Sequence, residues 1–143
     1  MNKRVLSLLV DNTSGVLSRI AGLFSRRGYN IDSLTVGETA DPRYSRMTVV
    51  VNGDDKILDQ ITKQLAKLVD VVDIKPLADN ESVSRELVLV KVRADGQNRQ
   101  AIIGITDIFR AKIIDVGIDS LIIELTGNQS KIDAFIRLLE GYE

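Results

Sequence analysis

The residues of this chain best suited to chemistry lie in Asp11-Asn12-Thr13-Ser14-Gly15-Val16-Leu17-Ser18-Arg19-Ile20 and, further on, Gly28-Tyr29-Asn30-Ile31. The first run joins a short apolar stretch, Val5 to Val10, to a segment with apolar residues at Val16, Ile20, Leu23 and Phe24, the spacing of a helix. A helix start presents N–H groups without partners and a partial positive charge, which together suit a small carboxylate. Thr13 or Ser14 is placed to cap that start, and Gly15 lets a ligand approach the backbone closely. Asn12 and Asn30, one at each end of the helical unit, carry amide oxygens able to hold an ammonium group. A carboxylate held beside an ammonium describes a free amino acid. The plainer reading, in which Asn and Gly serve only as turn residues, stays open on these residues alone.

Other chemistries are poorly supplied. There is no His and no Cys, so thiolate zinc sites, disulfides and nucleophile–His pairs cannot be built. No Walker-type or dinucleotide-binding glycine motif occurs, and Asp41, Asp54, Asp55 and Asp59 do not have the spacing of a calcium loop. We expect no catalytic residues, no metal site and no cofactor in this chain. A formal net charge of -1 and 4% aromatic residues give no electrostatic or stacking case for nucleic acid, and none for a membrane surface. The apolar run before Asp11 is too short for a signal segment or a span, so a soluble, cytoplasmic protein is expected.

The elements that would position these residues come in two copies. Periodicity predicts strand 4–10, helix 14–27, strands 30–39 and 44–52 with a turn at Asp41-Pro42, helix 54–67 and strand 69–77. That order, βαββαβ, is the ferredoxin-like arrangement within the α+β class. The stretch Pro76 to Ser84 is polar and without period, which divides the chain into domains 1–78 and 85–143 joined by a linker at 79–84. The pattern then restarts with strand 86–94, helix 98–110, strands 111–117 and 120–127 around Gly117-Ile118-Asp119, and helix 129–140, so the second copy lacks its last strand. Helical faces are expected to bury Ile57, Ile61, Leu65 and Leu68, then Ile102, Ile105, Ile108 and Phe109, then Ile132, Phe135, Ile136 and Leu139. A loop at Asp95-Gly96-Gln97-Asn98 matches the first in place but not in spacing, so no second ligand site is expected there. The basic pairs Lys3-Arg4 and Arg26-Arg27 read as solvated faces. Strand 30–39 has alternating apolar residues and little charge to protect its edge, which predicts a homodimer.

The run Leu8-Leu9-Val10-Asp11-Asn12-Thr13-Ser14-Gly15-Val16-Leu17-Ser18-Arg19 resembles the first turn of an ACT domain, an amino-acid-sensing βαββαβ module. Continued through Gly22-Leu23-Phe24-Ser25-Arg26-Arg27-Gly28-Tyr29-Asn30-Ile31-Asp32-Ser33-Leu34-Thr35-Val36, it is similar to the regulatory (small) subunits of acetohydroxyacid synthase, also called acetolactate synthase. So are Ser45-Arg46-Met47-Thr48, Gln64-Leu65-Ala66-Lys67-Leu68-Val69-Asp70-Val71, Arg85-Glu86-Leu87 and Phe109-Arg110-Ala111-Lys112-Ile113-Ile114-Asp115-Val116, in the same order along the chain. The family's members run on past the position of Glu143 by a further strand and a short tail. The resemblance implies a non-catalytic subunit, partner to a catalytic large subunit that holds thiamine diphosphate, FAD and Mg. It implies activation of that enzyme in branched-chain amino-acid biosynthesis and feedback inhibition by valine bound between two ACT domains. The residues it implies at the effector are Asn12 and Gly15 from one chain and Asn30 from the other, with Val16, Leu17 and Ile31 lining the side-chain pocket. Two other functions remain compatible with the residues: a carboxylate or lysine enzyme, and a dimerising module without ligand.

Overall fold

The computed structural model describes residues 3–142, and the chain separates into two compact units, residues 3–82 and 83–142. In the first unit β1 (Lys3–Asp11), β3 (Tyr44–Asn52), β2 (Ser33–Glu38) and β4 (Val71–Leu77) form one antiparallel sheet in the order β2-β3-β1-β4. The helices α1 (Val16–Arg26) and α2 (Asp55–Ala66) cross between them. Register alone accounts for the layers. Leu6, Leu8 and Val10 of β1 stand opposite Val49, Met47 and Ser45 of β3, and all six are buried. The residues between them, Val5, Ser7 and Leu9, face the other side of the sheet. Val16, Ile20, Leu23 and Phe24 from α1 and Ile61 and Leu65 from α2 complete the core, with Ile57 and Leu68 half-buried against it. Asp54 caps α2, its carboxylate accepting from the Ile57 N–H at 2.9 Å.

The element bounds differ from the sequence reading by up to three residues. Pro76, read as the start of the polar stretch, lies inside β4 opposite Leu6. An edge strand tolerates a residue without an N–H, and β4 is an edge. The second strand begins at Ser33 rather than 30, so Asn30 and Ile31 belong to the connection after α1. The first helix begins at Val16 rather than 14, for a reason taken up below. Residues 78–85 carry neither helix nor strand.

The second unit has β5 (Glu86–Arg93), α3 (Arg99–Ile108), β6 (Lys112–Val116), β7 (Ser120–Gly127) and α4 (Gln129–Leu139), with its three strands in the order β5-β7-β6. This is the first unit's topology without the fourth strand. After α4 the chain turns at Gly141, φ 99°, and the Tyr142 carbonyl accepts from the Arg93 N–H at 2.8 Å. The neighbouring Ala94 N–H goes to Asp119 on the β7 side, so Tyr142 meets β5 on its outer side, the fourth-strand position. Val92, Ala94, Ile102, Leu121, Ile123, Leu125, Ile132, Phe135 and Leu139 form the core, with Ile105 and Phe109 half-buried on it. Ile108 and Ile136, expected inside, are exposed at 77% and 44%. Each sits at the edge of a helical stripe that a three-stranded sheet is too narrow to cover.

Candidate functional site

The site is built where β1 runs into α1. The loop is held from two directions: the Asp11 N–H donates to the Asp70 carbonyl at 2.9 Å and the Asn12 N–H to the Arg43 carbonyl at 2.8 Å. The Asn12 side chain adds a third tie, donating through Nδ2 to the Pro42 carbonyl at 3.0 Å. Among the described residues its Oδ1 accepts no hydrogen bond, and it is the right atom to accept from an ammonium.

Neither Thr13 nor Ser14 caps the helix. Gly15 itself is the N-cap residue, at φ 86° and ψ -11°, and no side chain accepts from the first turn. Only glycine takes that left-handed backbone cheaply, so the chain enters the helix through Gly15 and leaves both hydroxyls upstream of the cap position. The first helical bond is from the Arg19 N–H to the Gly15 carbonyl at 3.0 Å. The N–H groups of Val16, Leu17 and Ser18 therefore lie ahead of the ladder, at the positive end of the helix.

Arg19, which the sequence reading passed over, stands beside them. Its Nη1 lies 2.9 Å from the point a Gly15 Cβ would occupy, so the guanidinium covers the glycine. Its Nε donates to Asp70 Oδ2 at 2.6 Å, and that hydrogen bond raises the guanidinium further above its ordinary range. The loop thus combines bare amides with a fixed, permanently charged cation, a combination that attracts a carboxylate. The only signal in the sequence was Arg four residues after Gly15, one helical turn on.

The structure gathers some of the predicted residues and separates others. Asn12, Gly15 and Leu17 are exposed together at this end of α1. Val16 is 3% exposed and packed in the core, so it can offer a ligand its backbone N–H but not its side chain as pocket lining. Asn30 and Ile31 lie beyond the other end of α1. Asn30 is exposed and donates through Nδ2 to Asp32 Oδ1 at 2.8 Å, and Ile31 is half-buried against the core. Eleven helical residues span about 16 Å at 1.5 Å each, longer than a free amino acid. One chain does not bring Asn12 and Asn30 to the same small ligand.

The corresponding loop in the second unit is bonded to itself ahead of α3, whose N-cap is Asn98. Asp95 Oδ1 accepts from the N–H groups of Gln97 and Asn98 at 2.8 and 3.0 Å, and Asn98 Oδ1 accepts from the Asp95 N–H at 2.7 Å. The bond from Asn98, then that from Gln97, holds the Asp95 carboxyl below the usual carboxylate range. These bonds order the loop before the helix, and α3, like α1, carries no side-chain cap. Among the described residues no three His, Cys, Asp or Glu side chains converge as metal ligands, and no helix is long and apolar enough to cross a membrane.

Comparison with known proteins identifies the family of the chain. Residues 6–73 match the family model for the AHAS small subunit-like ACT domain, and residues 85–143 match that for the small subunit of acetolactate synthase. The chain is 54% identical to the acetolactate synthase small subunit of Mycobacterium avium, over 94% of this chain and 81% of that one. It is 50% identical to the probable acetolactate synthase small subunit of Methanothermobacter thermautotrophicus, over 96% of this chain and 83% of the relative. The crystal structure of the Thermotoga maritima acetolactate synthase small subunit superposes with a TM-score of 0.91 at 47% identity, covering 98% of this chain and 88% of that one. With both halves matched in order and the fold shared, the chain belongs to the acetolactate synthase small-subunit family, its N-terminal half an ACT domain.

Proposed function

We propose that this chain is the non-catalytic regulatory subunit of acetolactate synthase, activating a catalytic large subunit in the cytoplasm and conferring feedback inhibition by valine. Thiamine diphosphate, FAD and Mg belong in this reading to the large subunit, and the small subunit carries only the effector. The observation that carries it is the uncapped start of α1 at Gly15, with Arg19 beside it, in a chain half identical to acetolactate synthase small subunits. Valine's carboxylate takes the amides of Val16 to Ser18, and its ammonium takes Asn12 Oδ1. Asn30, Ile31 and Leu17 enclose the rest, Asn30 and Ile31 coming from a second chain. Two chains are required because Asn30 lies about a helix length from Asn12 within one. A homodimer through β2 supplies the second chain: all six β2 residues are exposed, including Leu34 and Val36 on the same face as Val49 and Met47.

Calorimetric titration of valine into the purified chain, beside activity of the reconstituted enzyme, tests this. Gly15→Asp puts a side chain at a φ that L residues avoid, displaces Arg19 and adds a negative charge where the carboxylate lies. It should abolish valine binding and leave the enzyme valine-insensitive while activation persists. Asn12→Ala and Asn30→Ala should each weaken valine by roughly 1–3 kcal/mol through loss of a polar partner. A Gly15→Asp chain that still confers wild-type valine sensitivity would overturn the site.

A further inference from the structure

The Arg26-Arg27 pair, a mere basic doublet in sequence, gains a third cation in the fold. The C-terminal ends of α1 and α2 flank an open groove of about 480 Å³, lined by Leu23, Arg26, Arg27, Gln64, Lys67 and Leu68. The three cations are exposed, while Leu23 is buried and Leu68 half-buried beneath them. Of the unit's other described cations, Arg4, Arg19, Arg43 and Lys63 have a carboxylate partner, and Lys3, Arg46, Lys56 and Lys75 stand on four separate elements without one. Among the described residues Arg26, Arg27 and Lys67 have none.

Part of that charge has a local explanation. A helix C-terminus carries about half a negative charge, so two ends offset about one of the three cations. Roughly two positive charges are left over an apolar floor. An apolar centre inside a charged rim is the anatomy of a protein interface, and paired guanidinium groups match carboxylates in forked geometry. A membrane or nucleic acid would call for a broader basic field, and this chain carries a net charge of -1.

We propose that this groove docks an acidic segment of the catalytic large subunit, its carboxylates on Arg26, Arg27 and Lys67 and an apolar side chain on Leu68. The inference rests on the regulatory-subunit reading, but the groove is separate from the effector loop, at the opposite end of α1.

The test is the affinity of the full chain for its cognate catalytic subunit, measured at low and high salt. The double variant Arg26→Glu/Lys67→Glu should weaken the complex by about tenfold or more, as for charge reversal at a desolvated rim. The milder Arg26→Gln/Lys67→Gln should weaken it by about threefold and flatten its salt dependence. Thermal unfolding checks that both variants fold. Lys131→Glu/Lys112→Glu in the second unit applies the same change of net charge, and the complex should survive it. Valine calorimetry should be unchanged in the groove variants. Binding of inorganic pyrophosphate and of phosphatidylserine vesicles is measured in parallel. If the groove variants bind the catalytic subunit as the wild type does, or lose only pyrophosphate or vesicle binding, the groove assignment is wrong. If the wild-type chain forms no complex, the regulatory reading itself falls.

Discussion

Two loops in equivalent positions lead into their helices in different ways. At α3 the Asp95 carboxylate sits on backbone amides of its own loop, whereas at α1 a left-handed glycine leaves the amides bare under Arg19. The contrast has a pH signature. Because Asp95 is held below its ordinary pKa, it adds stability that is complete above the unfolded carboxylate value near 4 and is lost as pH falls through the folded value. Replacing Asp95 by Ala should lower the melting temperature at pH 7 by an amount that shrinks as the pH is taken down through the carboxylate range, read by calorimetric scans at neutral and acid pH. Equal losses at neutral and acid pH would mean that the side chain acts by packing rather than by charge.

Among the strands of the first unit, β2 is the most exposed, with none of its six residues buried or half-buried. Leu34 and Val36 stand opposite Val49 and Met47, yet are exposed at 38% and 43% because no helix reaches them. Leu34→Glu should therefore leave the single chain folded and weaken self-association and valine binding together, which sedimentation with and without valine would separate from misfolding. The alternation and weak charge of this strand were readable in the sequence, as were all eleven elements, because each carries a clear period or turn signal. The start of α1 was not. Thr13 and Ser14 are the usual capping types, and that Gly15 takes the position instead depends on a backbone angle fixed by ties to Asp70, Arg43 and Pro42. Those partners are distant in sequence and carry no motif of their own. For the same reason the Arg19–Asp70 pair and the joining of Lys67 to Arg26-Arg27 become visible only once the helices are placed.

At the scale of the whole molecule, each unit draws its core from its own residues, Phe24 anchoring one and Phe135, edge-on to Phe109 at 5.2 Å, the other. Phe135→Ala should cost the second unit about 3–5 kcal/mol, as a large buried ring usually does. Amide exchange should then accelerate through β5, β6 and β7 while β1 and β3 keep their protection. Acceleration spread equally over both units would show that they unfold together. A chain so divided gives its two halves different tasks at little mutual cost, since a change that loosens one need not disturb the effector loop of the other.

The bare outer side of β2 also has a consequence in time. Every second amide of an edge strand points away from its only neighbour, so in a lone chain those protons are open to water without any unfolding event. In the homodimer proposed above, a newly made chain would carry this template from the moment its first unit closes until a second copy arrives. During that interval the strand is as open to an unrelated β-edge as to its own. The abundance of the chain therefore sets how long it stays at risk, and a dilute, slowly translated pool is the state in which it would be lost to aggregation.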